Sequence, residues 1–134
     1  MKHFTIAEFI KSATADAKGI DNKLPKELLP NAVALIDKVL DPLREAYGKP
    51  ITISSGFRSE ALNKAVGGSK TSEHMKGMAA DIVGTPNTKA ENKKLFYLIQ
   101  SLGLPFTQLI DEKGFSWVHV SYDPSNLKKQ VLAL

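Results

Sequence analysis

Between Leu29 and Tyr47 apolar residues return every three or four positions: Leu29, Val33, Ile36, Leu40, Leu43 and Tyr47. That spacing traces one face of a helix and predicts a long amphipathic helix over 25–47. Pro30 suits its first turn, Pro42 is expected to kink it, and Gly48 to end it. Upstream, Thr5 with Glu8 three residues on reads as a capping box. It opens a short helix expected to run to about Ala13 and to bury Phe4, Phe9 and Ile10. Residues 14–23 are polar, with Gly19 and Asp21-Asn22, and read as loop.

Beyond Gly48 the period changes. Pro50-Ile51-Thr52-Ile53-Ser54 is β-branched and alternating, which predicts a strand. Ser59 is placed to cap a short helix through Asn63 and Val66, and 67–71 (Gly-Gly-Ser-Lys-Thr) reads as a flexible loop. Met78 to Val83 predicts a second strand. A helix then runs from Pro86-Asn87-Thr88 through Leu102, with Leu95, Phe96, Leu98, Ile99 and Leu102 inward and Gly103 closing it. Phe106 to Ile110 and Ser116 to Tyr122 predict two more strands, a hairpin around Lys113-Gly114. The tail is polar from Asp123 and ends in Val131-Leu132-Ala133-Leu134, expected to dock on the body. Helices first and then strands around one helix give an α+β class, one domain over 1–134 with a small antiparallel sheet packed against helices.

Composition narrows the chemistry. The chain has 134 residues, 43% of them apolar, enough to build a core and too many for a disordered tail. It has no cysteine, which excludes a disulfide scaffold, a thiolate metal site and a cysteine nucleophile. Any metal must therefore use His, Asp and Glu. The net charge of +4 favours polyanionic surroundings such as nucleic acid, anionic lipid or a cell wall. The lysines are scattered and form no basic helix, so nucleic acid is not the expected partner. Met1-Lys2-His3-Phe4-Thr5 is followed by no apolar run, so no signal peptide is expected. No stretch approaches the roughly 20 apolar residues of a membrane span.

Of the three histidines, two sit in short, unusual settings: His74 in Ser72-Glu73-His74-Met75-Lys76-Gly77, and His119 in Trp117-Val118-His119-Val120-Ser121. Asp81 follows His74 by seven residues. Two imidazoles and a carboxylate make a three-ligand site with one position open, as a catalytic zinc needs. Gly67, Gly68 and Gly77 argue against one helix carrying both His74 and Asp81, so a loop followed by a strand is expected. Asp81 stands between Ala80 and Ile82, where a carboxylate is costly unless paired or bound to a metal. A single histidine in a strand is ordinarily a satisfied core residue, and Asp81 alone could cap a turn. It is their joint occurrence, with the glycine loop and Arg58, that points to a metal. The same donor types form the facial triad of non-haem iron oxygenases, but there the first histidine and the carboxylate stand about two apart on a strand. The spacing of seven here favours zinc.

Six separated blocks carry a resemblance. Ser55-Gly56-Phe57-Arg58-Ser59 with Asn63, Val66-Gly67-Gly68-Ser69, Ser72-Glu73-His74 with Gly77, Ala79-Ala80-Asp81-Ile82, Gln108-Leu109-Ile110-Asp111-Glu112 and Trp117-Val118-His119-Val120-Ser121 occur in order. Together they resemble the zinc D-alanyl-D-alanine carboxypeptidases, a group that includes peptidoglycan carboxypeptidases, phage endolysins and vancomycin-resistance dipeptidases and shares its fold with the hedgehog signalling domain. The likeness covers about Phe4 to Tyr122 and is nearest to the small single-domain branch of phages, prophages and bacterial genomes.

The resemblance implies that His74, Asp81 and His119 hold Zn2+. It implies that Arg58 steadies a substrate carbonyl or carboxylate, that Ser72 orients the site by a hydrogen bond, and that Trp117 contacts substrate. Several relatives place a glutamate in a Glu-x-x-His block before the last ligand, and this chain has Ser116 there. In the small branch a glutamate closes the Gln-Leu-Ile-x-Glu block, which makes Glu112 the expected general base and Asp111 its alternative. The implied reaction is hydrolysis of a D-alanine-containing bond in the stem peptide of peptidoglycan, by a carboxypeptidase or an endolysin-type endopeptidase. The alternative is a zinc-containing wall-binding or phage structural module of the same fold without catalysis. A monomer is expected, made in the cytoplasm and reaching the wall by phage or prophage release.

Overall fold

The computed structural model describes all 134 residues. Short helices α1 (Ile6–Ile10) and α2 (Ala13–Lys18) lead into α3 (Leu29–Leu35) and α4 (Asp41–Tyr47). Then come β1 (Thr52–Ser55), α5 (Glu60–Ala65), β2 (Ala79–Val83), α6 (Lys89–Ser101), β3 (Gln108–Glu112), β4 (Trp117–Ser121) and β5 (Gln130–Ala133). The strands form one five-stranded sheet in the order β1-β2-β4-β3-β5. No helix is long and apolar enough to cross a membrane.

The Thr5–Glu8 capping box is present, with Glu8 N–H donating to Thr5 Oγ1 and Thr5 N–H to a Glu8 carboxylate oxygen. The first helix stops at Ile10 rather than near Ala13, because Ser12 caps a second one: its Oγ accepts from Ala15 N–H. Residues 14–18, expected as loop, are therefore helical with Ala13, closed by Gly19 at φ 64°.

The expected long helix over 25–47 is realised in four pieces. A 3-10 turn (Lys26–Leu28) precedes α3, and a π turn (Ile36–Leu40) joins α3 to α4. Pro42 explains the π turn. It has no N–H to donate, and its ring would strike the carbonyl four residues back, so the chain widens by one residue there. Leu35, Ile36, Val39, Leu40 and Leu43 are fully buried, whereas Leu29, expected inward, is exposed at the start of α3. Leu102 at the end of α6 is likewise exposed.

Four of the strands are antiparallel, and β5 adds to β3 in parallel. The hairpin strand expected at 106–110 begins two residues later, at Gln108. Strand alternation then divides the sheet. Ala80, Ile82, Leu109, Val118 and Val120 face the helices and join a core of 21 buried residues with Phe9, Leu35, Leu40, Leu95 and Ile99. The opposite face carries the polar residues of the site.

Candidate metal centre

The sheet register brings two of the three candidate ligands together. Asp81, in the middle of β2, pairs with Ser55 of β1 on one side and His119 of β4 on the other. Cross-strand partners in an antiparallel pair share a face, so Ser55, Asp81 and His119 stand in a row. The row continues through Ile110 of β3 to Leu132 of β5. A β-bulge between Ile53 and Ser55 sets its first member, because without the extra residue Ser54 would stand opposite Asp81.

His74 arrives from outside the sheet on a 3-10 turn, Glu73–Lys76. Ser72 caps that turn, its Oγ accepting from His74 N–H at 3.2 Å, and Gly77 ends it at φ 71°. His74 Nδ1 lies 2.7 Å from the carbonyl oxygen of Gly56. A carbonyl only accepts, so Nδ1 holds the proton and Nε2 is left with its lone pair. Gly56 is required at this spot: a Cβ there would lie 2.1 Å from the Phe9 carbonyl oxygen.

His74 Nε2 is 3.3 Å from Asp81 Oδ1, and His119 Nδ1 is 3.0 Å from the same oxygen. All three donor atoms lie within 4.8 Å of one another. Such a cluster of lone pairs around a carboxylate calls for a cation among them, either a proton on imidazole or a metal ion. Burial opposes charge on Asp81, but with a proton shared onto the facing nitrogens the hydrogen bonds from His119 and His74 outweigh it and hold the carboxyl well below the usual carboxylate range. A tetrahedral zinc with bonds of about 2.0–2.1 Å needs donor separations of roughly 3.3–3.4 Å. Of the two separations at Asp81, the one to His74 at 3.3 Å is of that size and the one to His119 at 3.0 Å is slightly shorter. The third histidine, His3, lies beside Glu45 and takes no part.

Arg58 stands behind the cluster rather than in front of it. Its Nε donates to Ser55 Oγ at 3.0 Å, Nη1 to Asn63 Oδ1 at 3.3 Å and Nη2 to Asp81 Oδ2 at 3.3 Å. The guanidinium fork thus fixes the carboxylate oxygen that faces away from the histidines. Asn63 is fixed in turn by donating from Nδ2 to the Ser69 carbonyl oxygen at 2.9 Å. Gly68 has to be small, since a Cβ would lie 2.0 Å from Asn63 Oδ1. Ser55 and Asn63 belong to the blocks read from the sequence, but their work on Arg58 and that of the Gly56 carbonyl on His74 were not legible there. The spacing of the Ser-Gly-Phe-Arg-Ser block was their only signal.

A polar groove of about 440 Å³ opens over His119. Ser72, Gln108, Ile110 and Glu112 are among its lining residues. Gln108, Ile110 and Glu112 alternate along β3 and so face it together. Asp111 points the other way, and its Oδ1 accepts from Phe115 N–H in the hairpin turn. Trp117 lies opposite Glu112 in the register but outside the groove lining, with the Lys113 ammonium 5.6 Å from its ring centre. Arg58 does not line the groove either; it borders a second cavity with Phe57, Asn63 and Met75.

A family model described as peptidase M15 matches residues 2–121. The chain belongs to the peptidase M15 family. Among curated proteins it is similar to the zinc D-Ala-D-Ala carboxypeptidase of Streptomyces albus G, with 52% identity over 44 residues. That match spans 32% of this chain and 17% of the relative's length. Within this peptidase M15 chain, the family-matched residues hold all three candidate ligands together with Arg58, Ser72 and Glu112.

Proposed function

We propose that this protein is a zinc peptidase that hydrolyses a D-alanine-containing bond in the stem peptide of peptidoglycan, acting at the cell wall. One observation carries the reading: His74 Nε2, Asp81 Oδ1 and His119 Nδ1 converge beside a groove of about 440 Å³, a volume in the range of ligand sites. The donor set fits zinc in type, separation and hydrogen-bonded support, since His74 donates from Nδ1 to a carbonyl and Asp81 accepts from an arginine. The similarity to a zinc D-Ala-D-Ala carboxypeptidase supports both the metal and the substrate class.

His74, Asp81 and His119 would hold the ion. Zinc bound there supplies a Lewis acid that polarises the scissile carbonyl and acidifies a water. Glu112, half-buried on the groove wall, is placed to take the proton of the attacking water at a carboxylate oxygen and return it to the leaving amine. Asp111 is the weaker candidate for that role, because its carboxylate is engaged in the turn. Arg58 acts as a positioning residue, holding Asp81 through Oδ2. Ser72 holds the turn that presents His74.

The test is digestion of purified peptidoglycan by the zinc-loaded protein, with mass spectrometry of the fragments. Release of D-alanine, or cleavage beside a D-alanine, supports the reading and assigns the bond. A zinc-loaded protein that binds the wall and releases nothing would instead indicate a module without catalysis.

A further inference from the structure

Part of the groove wall is built by chain that lies outside the family-matched residues. The match ends at residue 121, yet Asp123, Asn126 and Lys128 line the groove over His119. This stretch is fastened along its length. Asp123 N–H donates to Thr107 Oγ1 at 2.8 Å, Lys129 N–H to the Phe106 carbonyl oxygen at 3.1 Å and Gln130 N–H to the Thr107 carbonyl oxygen at 3.0 Å. β5 then pairs with β3. Lys129 adopts φ 50°, a left-handed conformation that is uncommon for a side chain of this kind. That bend turns the chain from the groove wall into β5, leaving Lys128 at the rim.

The charges in this wall are not equivalent. The Asp123 carboxylate is occupied locally, accepting from Ser125 N–H at 3.0 Å and Ser125 Oγ–H at 2.7 Å. Lys128 has no such partner. The lysine ion pairs of the structure are made by Lys2, Lys49 and Lys94. Lys76, on the turn that carries His74, lines the same groove and makes no ion pair, although its charge helps to lower the Asp123 carboxyl. An ammonium beside a substrate groove without a carboxylate of its own is suited to an anionic group on the ligand.

We propose that Lys128 is a specificity-determining residue that takes a free carboxylate of the bound peptide, with Lys76 contributing from the opposing turn. The identity of the ligand as a peptide rests on the peptidase reading above. Glu73, Glu112 and Asp123 also border the groove and repel a ligand carboxylate, so Lys128 and Lys76 are the lysines of the lining that can receive one.

The test uses the full-length zinc-loaded protein and three N-acetylated peptides ending in D-alanyl-D-alanine: one with a side-chain and a terminal carboxylate free, one with the side chain amidated, and one with the terminus amidated. Binding is read by chemical-shift titration, and hydrolysis separately by mass spectrometry. The expected result is that one of the two amidations weakens binding about tenfold, that Lys128→Gln removes this preference, and that Lys128→Arg keeps it. Equal binding of all three peptides by the unaltered protein, no binding of any, or a preference that survives Lys128→Gln would overturn the proposal. A carboxylate preference without hydrolysis would leave Lys128 in its role and sink the peptidase reading instead.

Discussion

Replacing Arg58 separates two roles that the sequence could not. The resemblance implies contact with substrate, whereas the geometry ties the guanidinium to Ser55, Asn63 and Asp81. If Arg58 positions a zinc ligand, its loss must appear first in zinc affinity. Outer partners of metal ligands are worth about 10–100-fold in affinity, or about 1.4–2.7 kcal/mol. The Arg58 side chain is 15% exposed, and solvent screening moves the expectation toward the lower end. Arg58→Lys keeps the charge but cannot fork among three acceptors, so about a tenfold weakening is expected. Arg58→Ala also leaves Asp81 Oδ2 unpaired in a site where Asp81 is 7% exposed, so a loss nearer 100-fold is expected. The assay is competition for zinc against a chromophoric chelator, with hydrolysis measured at saturating zinc. Turnover should recover in part as zinc is raised. Wild-type zinc affinity in both variants, together with lost turnover, would refute the positioning argument and return Arg58 to direct contact with substrate.

Three further outcomes follow from the structure. Glu112→Gln should retain zinc in the chelator assay while kcat falls about 10²–10⁴-fold; full activity would remove Glu112 as the base. Gly56→Ala should destabilise the protein by about 2–4 kcal/mol in urea unfolding, because its Cβ would meet the backbone of the fully buried Phe9; wild-type stability would contradict the close approach. Glu91 accepts from Lys49, from Lys94 at 2.8 Å and from Tyr47 Oη at 2.6 Å, and these bonds pull its carboxyl down to about 2. A carboxyl lowered on folding contributes stability that is present above its ordinary value of 4.5 and lost as pH falls toward 2. Urea unfolding of wild type and Glu91→Gln should therefore differ at pH 6 and converge by about pH 2, whereas a constant difference would point to packing alone.

Legibility in the sequence followed how local each signal was. The candidate metal ligands could be named because each stands in a block with a distinct composition, and the strand period placed Asp81 and His119 on usable faces. The choice of Glu112 over Asp111 was also local, since alternation along one strand decides which carboxylate reaches the groove. The helix at 13–18 was missed because Ala15 is its one buried residue, so hydrophobic period is nearly absent and only the Ser12 and Gly19 caps announce it. The π turn was hidden because Pro42 predicts a break but not the extra residue by which the chain accommodates it. From sequence β5 reads only as a docking tail, since its strand character comes from pairing with β3 more than twenty residues upstream rather than from its own pattern. The supporting bonds of Ser55, Asn63 and the Gly56 carbonyl depend on a bulge and on loop closure, and no spacing in the chain encodes those distances.

Zinc binding by His74, Asp81 and His119 is measured by titrating zinc into the metal-free protein and into its Asp81→Asn and His119→Ala variants, with X-ray absorption at the zinc edge of the loaded wild type. The expected result is one zinc per chain bound through nitrogen and oxygen donors including two imidazoles, with stoichiometric binding lost in both variants. A wild type that takes up no zinc in excess, or variants that bind it as tightly as wild type, would contradict this ligand set.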